Sequence, residues 1–310
     1  MSDQNKYDVY YDELINLISG DMNISSQYVV FLTTSGEYYA INVAKVEELI
    51  QNKNIEVVKS TDSDDLTIGV TKIREHLCVL LNFDRWIGHK YTAQDEFSII
   101  ILCKYSSARL GLLVKDVIGI QRIEVDALFN GTQRDKKIAY AVEVLINGEK
   151  KLCNIFDFDQ LTMDIYPNIL TMNENLVEEM QIETDVVTQK YILVAEDSSL
   201  IQKQIKSLLE KMGLHYHIFD NGEMLYNYLK TVDVKKVSLI VTDIEMPVMD
   251  GIELIEKLSS DSSLNEIPII AHTNMSNSTI ATNILELGVL DIVDKLNLSN
   301  LKESILKYCR

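Results

Sequence analysis

The fold of the C-terminal half is decided by one stretch, Leu239-Ile240-Val241-Thr242-Asp243-Ile244-Glu245-Met246-Pro247-Val248-Met249-Asp250-Gly251. Its apolar start predicts a buried parallel strand that ends at Asp243, followed by a Met-Pro turn and an Asp-Gly pair that opens a helix. Sheets of α/β proteins place their chemistry at the carboxyl ends of the strands. Asp243 is therefore a candidate site residue, although an aspartate at a strand end is more often a helix cap or a turn residue.

Three other apolar runs also end in polar side chains. Residues 191–195 end in Glu196-Asp197, residues 268–272 end in Thr273, and residues 290–294 end in Lys295. Three carboxylates in one pocket repel by about 4 kcal/mol per close pair at an effective dielectric near 20, so either one holds a proton or a cation lies among them. An oxygen-ligand site with few carboxylates suits Mg²⁺. The hydroxyl and the ammonium would then stabilise an anion, as an acyl phosphate on Asp243 requires.

On these residues the segment from Tyr191 to Arg310 resembles the response-regulator receiver domain. The steps of thirty residues from Asp243 to Thr273 and twenty-two from Thr273 to Lys295 are those of the single-domain chemotaxis regulators. The resemblance implies a phospho-acceptor at Asp243, a switch hydroxyl at Thr273 and a phosphoryl contact at Lys295. It also implies that Mg²⁺ is bound by Asp243, by the acidic pair Glu196 and Asp197, and by the backbone carbonyl of Glu245.

The receiver pattern is changed at several positions. Ile292 occupies the aromatic switch position, so coupling of Thr273 to a tyrosine rotamer cannot operate in that form. Asn274 stands where a smaller residue is usual, and Glu245 follows two residues after Asp243. Both side chains should flank the phosphoryl group, and we expect them to slow attack by water and lengthen the phosphorylated lifetime.

Composition limits the classes of partner. The 310 residues suggest about two domains, and 47 acidic residues stand against 29 basic ones. No Lys/Arg cluster interrupts this acidity, which argues against nucleic-acid binding. The polar N-terminus has no apolar signal region, and the apolar runs are too short to span a bilayer. We therefore expect a cytoplasmic protein without direct membrane insertion.

The first half is rich in strand-like runs, and Asn147-Gly148 between two of them predicts a tight hairpin. Residues 25–166 resemble the CheW-type coupling domain, the adaptor of bacterial chemotaxis arrays. The matching segments are 39–49, 69–74, 79–83 and 110–117. The resemblance implies an all-β fold of two small five-stranded barrels around a hydrophobic groove. The groove takes the cytoplasmic tip of a chemoreceptor, and another face docks the CheA-type histidine kinase.

The same resemblance places Val46, Glu48 and Arg74 on the partner-contacting surface. The alternative from the residues alone is that Val46 belongs to the core, while Glu48 and Arg74 form a surface ion pair worth under about 1 kcal/mol. Both interpretations stay open at the level of sequence.

Four segments are predicted in all. Residues 1–24 form an N-terminal extension with an amphipathic helix over 8–20, and residues 25–166 form the coupling domain. Residues 167–189 form an acidic linker that is part helical from Leu176 to Met180. Residues 190–310 alternate strands and helices five times, which predicts a doubly wound five-stranded parallel sheet.

Coupling and receiver domains in this order resemble the CheV-type family of chemotaxis fusion proteins. The implied function is an adaptor that couples chemoreceptors to the histidine kinase and is recruited to receptor arrays. Phosphorylation of Asp243 would modulate it, as an adaptation device or a phosphate sink. The protein would accept a phosphoryl group without being an enzyme.

Two other functions remain open. An Mg²⁺-dependent phosphohydrolase of the haloacid-dehalogenase type would also use Asp243 as a nucleophile, but such enzymes want a second aspartate where this chain has Glu245. A passive scaffold with an inactive receiver is the other alternative.

Overall fold

The computed structural model describes residues 27–53, 55–59, 66–89, 97–105, 108–123, 129–130, 137–179, 190–274 and 278–309. The chain divides into two compact units, Met1–Ile165 and Tyr166–Arg310. The predicted extension 1–24, with its helix over 8–20, lies outside the described residues. No helix within the described ranges is long and apolar enough to cross a membrane.

The first unit consists of two antiparallel-rich sheets. Its strands are β1 (Gln27–Leu32), β2 (Tyr38–Asn42), β3 (Val46–Gln51), β4 (Val57–Val58), β5 (Thr67–Ile73), β6 (His76–Asn82), β7 (Ile99–Tyr105), β8 (Ala108–Val114), β9 (Asp116–Arg122), β10 (Phe129–Asn130), β11 (Ile138–Ile146) and β12 (Glu149–Phe156). The strand orders are β10-β11-β12-β2-β1-β9 and β3-β7-β8-β6-β5-β4. Within the described residues each sheet therefore has five longer strands and one strand of two residues, and the all-β class of this unit is confirmed.

The predicted hairpin is confirmed between β11 and β12. Ile146 pairs with Glu149, and the two turn residues between them have φ values of 52° at Asn147 and 83° at Gly148. Both values lie in the left-handed region that a two-residue hairpin turn requires, and Asn-Gly adopts it at low cost. Alternate residues of β11 then face the core, from Tyr140 to Ile146.

Aromatic rings fill the centre of the first unit. Two short helices, α1 (Phe83–Trp86) and α2 (Phe158–Ile165), contribute rings to this cluster. The Trp86 ring packs against Phe83 and Phe156, and its Nε1 donates to Asp164 Oδ2 at 2.8 Å. Trp86 thus fastens α2 to the unit, as expected for a packing anchor.

The second unit is a doubly wound parallel sheet, as predicted. Its strands are β13 (Tyr191–Ala195), β14 (His215–Phe219), β15 (Val237–Thr242), β16 (Ile269–Thr273) and β17 (Asp291–Asp294), in the order β14-β13-β15-β16-β17. Its helices are α3 (Pro167–Glu179), α4 (Ser199–Lys211), α5 (Gly222–Leu229), α6 (Gly251–Ser260), α7 (Ser278–Glu286) and α8 (Leu298–Tyr308). All strand pairs are parallel, so their carboxyl ends share one edge.

Helix α3 corrects the predicted linker. The sequence predicts a linker over 167–189 that is helical from Leu176 to Met180, whereas the helix begins at Pro167 and ends at Glu179. It belongs to the second unit and packs against α4 and α8. A proline is well suited to the first helical position because its missing N–H has no partner there. Residues 180–189 lie outside the described ranges.

Candidate functional site

The candidate site lies at the carboxyl edge of the parallel sheet. Ala195 and Thr242, the last residues of β13 and β15, are register partners. The backbone N–H of Asp243 donates to the carbonyl of Ala195 at 2.8 Å. The acidic pair that follows Ala195 is therefore held next to Asp243 by the sheet itself.

Asp243 is almost fully buried, with 1% of its surface exposed. Its Oδ1 accepts hydrogen bonds from the backbone N–H groups of Ile244 at 2.6 Å and Glu245 at 3.2 Å. Its Oδ2 accepts from Lys295 Nζ at 2.9 Å. The side chain is thus fixed by donors on both oxygens, which a nucleophilic carboxylate needs in order to meet its substrate in one orientation.

The acidic pair places two more carboxylates beside Asp243. Glu196 is fully buried, and its Oε1 accepts from the Ser198 N–H at 3.1 Å and from Lys295 Nζ at 2.8 Å. Carboxylate oxygens of Glu196, Asp197 and Asp243 lie within 4.8 Å of one another. Three carboxylate oxygens at this spacing form a donor set that suits Mg²⁺, which binds few protein carboxylates and keeps several waters. The backbone N–H of Glu245 contacts Asp243, and the predicted role of its carbonyl stays a prediction.

Lys295 joins the two carboxylates. Its Nζ forms ion pairs with Glu196 and Asp243, and all three side chains are at most 2% exposed. A buried charge without a partner is costly, so this ammonium compensates part of the negative charge of the cluster. Lys295 directly follows β17, as the sequence predicts.

The predicted hydroxyl and its neighbour also lie at this edge. Thr273 ends β16, pairs with Asp294 of β17 and is 2% exposed. Asn274, the next residue, is 9% exposed. Ile292 packs half-buried against the hydrophobic core beneath the edge. The structure therefore gathers Asp243, Glu196, Asp197, Lys295 and Thr273 at the same edge of the sheet.

Gly251 has a role that the sequence motif does not explain. A Cβ atom at this position would lie 2.1 Å from the carbonyl oxygen of Asp243. The N–H of Gly251 donates to the Ile244 carbonyl at 3.1 Å, while Asp250 Oδ1 caps α6 by accepting from the Glu253 N–H at 2.7 Å. The Asp-Gly pair thus starts the helix against the backbone of Asp243, and only glycine permits so close an approach.

His272 is a second residue that sequence reasoning missed. It is 1% exposed, and its Nδ1 lies 4.0 Å from Glu196 Oε2. The available signal was a histidine among the apolar residues of a strand that is buried on both faces. Gln202 is a third, because its Nε2 donates to the Glu196 carbonyl at 2.6 Å and to Asp220 Oδ1 at 2.9 Å.

In the first unit the structure separates the three predicted partner-contacting residues. Val46 is 3% exposed, which corrects the expectation that its side chain lies on a contact surface, because its strand turns it into the core. Glu48 Oε1 accepts from Arg74 Nη2 at 2.7 Å across an exposed ion pair. Arg74 begins the two-residue turn between β5 and β6 with a φ of 52°. The partner contacts of Glu48 and Arg74 stay predictions.

Comparisons with known proteins match both units. The family model for the CheW-like domain matches residues 27–165, and that for the response regulator receiver domain matches residues 192–306. Three chemotaxis proteins of Helicobacter pylori align along most of their length: CheV1 (24% identity, 88% of this chain and 89% of the relative), CheV2 (23%, 92% and 95%) and CheV3 (27%, 87% and 88%).

Proposed function

Because this chain belongs to the CheV-type family, in which a CheW-like domain precedes a response regulator receiver domain, we propose that it is a phosphorylation-modulated adaptor of chemotaxis. The first unit couples the cytoplasmic tip of a chemoreceptor to a CheA-type histidine kinase. The second unit accepts a phosphoryl group from the kinase's phosphohistidine on Asp243. The protein accepts the group in a chemotaxis array and acts on no small-molecule substrate of its own.

One observation carries this proposal: Lys295 Nζ bridges Glu196 Oε1 and Asp243 Oδ2 at 2.8 and 2.9 Å in a buried cluster. A lysine that only stabilised the fold could pair with one carboxylate. A lysine held between the nucleophile and the acidic pair is ready to follow new negative charge on the nucleophile. The arrangement keeps three carboxylates together at a cost in stability, and a purely structural role gives no reason for that cost.

The acidic pair and Asp243 would hold Mg²⁺. When bound, the ion neutralises phosphoryl oxygens during transfer. The protein itself contributes the rest. The Asp243 carboxylate attacks with Oδ2, while Oδ1 is retained by the N–H groups of Ile244 and Glu245. Lys295 and the Thr273 hydroxyl supply positive charge and a donor for the phosphoryl oxygens.

Phosphorylation adds about −1.5 to −2 charges at this edge. The Lys295 ammonium already contacts Asp243, so we expect it to move from the Glu196 carboxylate toward the phosphoryl group. Thr273 moves toward the same group. These two shifts favour one of two receiver states, and that state alters the coupling of receptor to kinase, either for adaptation or as a phosphate sink.

The test is transfer from radiolabelled CheA-type kinase to the Asp243→Asn protein with Mg²⁺ present. We expect no label on this variant, while capture of a receptor signalling fragment is unchanged. Glu266→Gln is the matched control, since Glu266 is an exposed acid just before β16, at the opposite edge of the sheet, and this variant should accept label normally. Full labelling of Asp243→Asn would overturn the assignment, and no labelling of the native protein would leave a passive scaffold.

A further inference from the structure

Helix α3 presents one face to the rest of the second unit. Half-buried Ile169, Leu170, Leu176 and Val177 and buried Asn173 recur at helical spacing along that face. The face packs against α4 and also against α8. The receiver family model begins at residue 192, so α3 is an addition that covers two receiver helices.

Two contacts give the direction of α3 relative to α4. Asn173 Nδ2 donates to Gln204 Oε1 at 3.0 Å, and Lys211 Nζ donates to the Glu178 carbonyl at 3.3 Å. Later residues of α3 contact later residues of α4, so the two helices run in the same direction. At 1.5 Å per residue, Pro167 lies about 9 Å before Asn173 and Ser199 about 8 Å before Gln204. The start of α3 is therefore level with the start of α4, at the edge that carries the candidate site.

Both helices under α3 begin beside a site residue. Ser199, the first residue of α4, comes three residues after Glu196, and Leu298, the first residue of α8, comes three residues after Lys295. The ion pair between Lys295 and Glu196 joins the loops that lead into these helices. The fit of α3 across α4 and α8 thus depends on two loops that this one ion pair ties together.

We propose that α3 is a phosphorylation-responsive element, docked while Lys295 bridges Glu196 and Asp243 and loosened when Asp243 is phosphorylated. This inference rests on the proposed function of Asp243. A phosphoryl group that attracts Lys295 away from Glu196 breaks the ion pair between the loop before α4 and the loop before α8. Helix α3 contacts both helices, so a change in their relative position removes part of its packing.

The contact between α3 and α4 includes a buried polar pair that weakens the docking of α3. Asn173 is a buried polar residue in the middle of the apolar face, an arrangement that fixes the register of two helices at a cost in stability. Its partner Gln204 has a buried Nε2 atom with no hydrogen-bond partner among the described residues. A partly satisfied buried polar contact weakens association. The free energy that keeps α3 docked is therefore small, and the loss of one ion pair is enough to favour the undocked state.

The connection along the chain between α3 and the last helix of the first unit is short. Only Tyr166 separates Ile165, the last residue of α2, from Pro167, the first residue of α3. Helix α2 is fastened within its own unit by the hydrogen bond from Trp86 to Asp164. The first residue of α3 is therefore only two positions along the chain from the last residue of α2.

Hydrogen–deuterium exchange of the full chain, with and without Mg²⁺ and beryllofluoride as a phosphoryl mimic, tests the proposal. We expect amides of residues 169–177 to exchange at least about tenfold faster with the mimic, as local opening becomes easier. Amides of β7, in the other unit, should not change. Equal or slower exchange over 169–177, with clear protection of residues 242–246 by the mimic, would overturn the inference.

A double variant makes the result specific. In Asn173→Leu/Gln204→Leu both polar partners become apolar, which removes the unsatisfied amide and should lock α3 in place. We expect the mimic to protect residues 242–246 in this variant while exchange over 169–177 stays slow. A tenfold acceleration in the double variant would contradict the role of this contact. If the mimic protects nothing at residues 242–246 even in the native chain, the proposed phosphorylation fails and this inference fails with it.

Discussion

Lys295 Nζ lies 2.8 Å from Glu196 Oε1, and both side chains are buried, at 2% and 1% exposure. The pair joins residues that are 99 positions apart in the chain, and Asp243 completes it on the other side of the ammonium. We expect the balance of charge in this cluster to affect both the stability of the second unit and its response to a metal ion or a phosphoryl group. The first prediction concerns that balance.

Lys295→Met should lower the free energy of unfolding of the second unit by about 3 kcal/mol in EDTA, because it leaves two buried carboxylates without their cation. Mg²⁺ should restore more stability to the variant than to the native protein, since the ion replaces the lost charge. The measurement is urea unfolding followed by circular dichroism at 222 nm, as six of the eight described α-helices belong to this unit.

Lys302→Met is the matched control, because Lys302 lies on α8 away from the acidic cluster and is only half-buried. Fluorescence of Trp86, the single tryptophan, reports the other unit and should be unaffected in both variants. Equal stability of Lys295→Met and the native protein in EDTA would contradict the assigned charge balance.

Gly251→Ala should damage the site without touching any of its side chains. The new Cβ would lie 2.1 Å from the Asp243 carbonyl oxygen, so the backbone of Asp243 must move, at about 2 kcal/mol. A displacement of this kind should weaken beryllofluoride binding by about tenfold or more, since site groups act only within a narrow geometry.

Gly288→Ala separates this effect from the general cost of replacing a glycine. Gly288 has a φ of 97°, but nothing lies within 4 Å of its added Cβ. This variant should lose about 1 kcal/mol of stability and keep the native affinity for beryllofluoride. Titration calorimetry measures the affinity of both variants for beryllofluoride. Equal affinities would show that the site does not need a glycine at position 251 against the backbone of Asp243.

Asn274→Ala should shorten the lifetime of phosphorylated Asp243. Asn274 is 9% exposed next to Thr273, where we expect its amide to shield the phosphoryl group from water. Removal of about 1 kcal/mol of barrier corresponds to a roughly fivefold shorter half-life. Loss of radiolabel from the phosphorylated protein measures it. Asn283→Ala, at an exposed position of α7, is the control. An unchanged half-life in Asn274→Ala would contradict the prediction that Asn274 slows attack by water.

Much of the site could be predicted because its signals are local. Each site strand is a short apolar run that ends in a polar residue, so Asp243, Thr273 and Lys295 could be placed at one edge from alternation of strands and helices alone. Helix α3 was placed incorrectly for the opposite reason. Its apolar residues have helical spacing, but its stability comes from packing on α4 and α8, and the elements that cover an apolar face cannot be identified from its spacing. Val46 could not be decided from the sequence, because its burial depends on which face of β3 meets the core.

The acid stability of the first unit should depend on Glu47 and Arg109. Arg109 donates from Nε at 2.7 Å and from Nη2 at 3.0 Å to the two oxygens of Glu47. These hydrogen bonds lower the pKa of the Glu47 carboxyl below its ordinary value. The stabilisation is therefore complete above the unfolded pKa of about 4.3 and is lost as the pH falls through the lower folded pKa.

Glu47→Gln should cost about 0.5 kcal/mol at pH 7, a small value because a third of the Glu47 side chain is exposed and screened. The difference from the native protein should shrink as the pH falls below the unfolded pKa of about 4.3 and vanish below the lower folded pKa of Glu47, where both chains carry a neutral group at this position. Urea unfolding followed by Trp86 fluorescence at pH 7, 5 and 3.5 measures it. Glu143→Gln is the control, since its pair with Lys150 is more than half exposed on both sides, and we expect no measurable loss there. A Glu47→Gln difference that persists unchanged to pH 3.5 would mean that packing of the side chain, and not its charge, stabilises this part of the sheet.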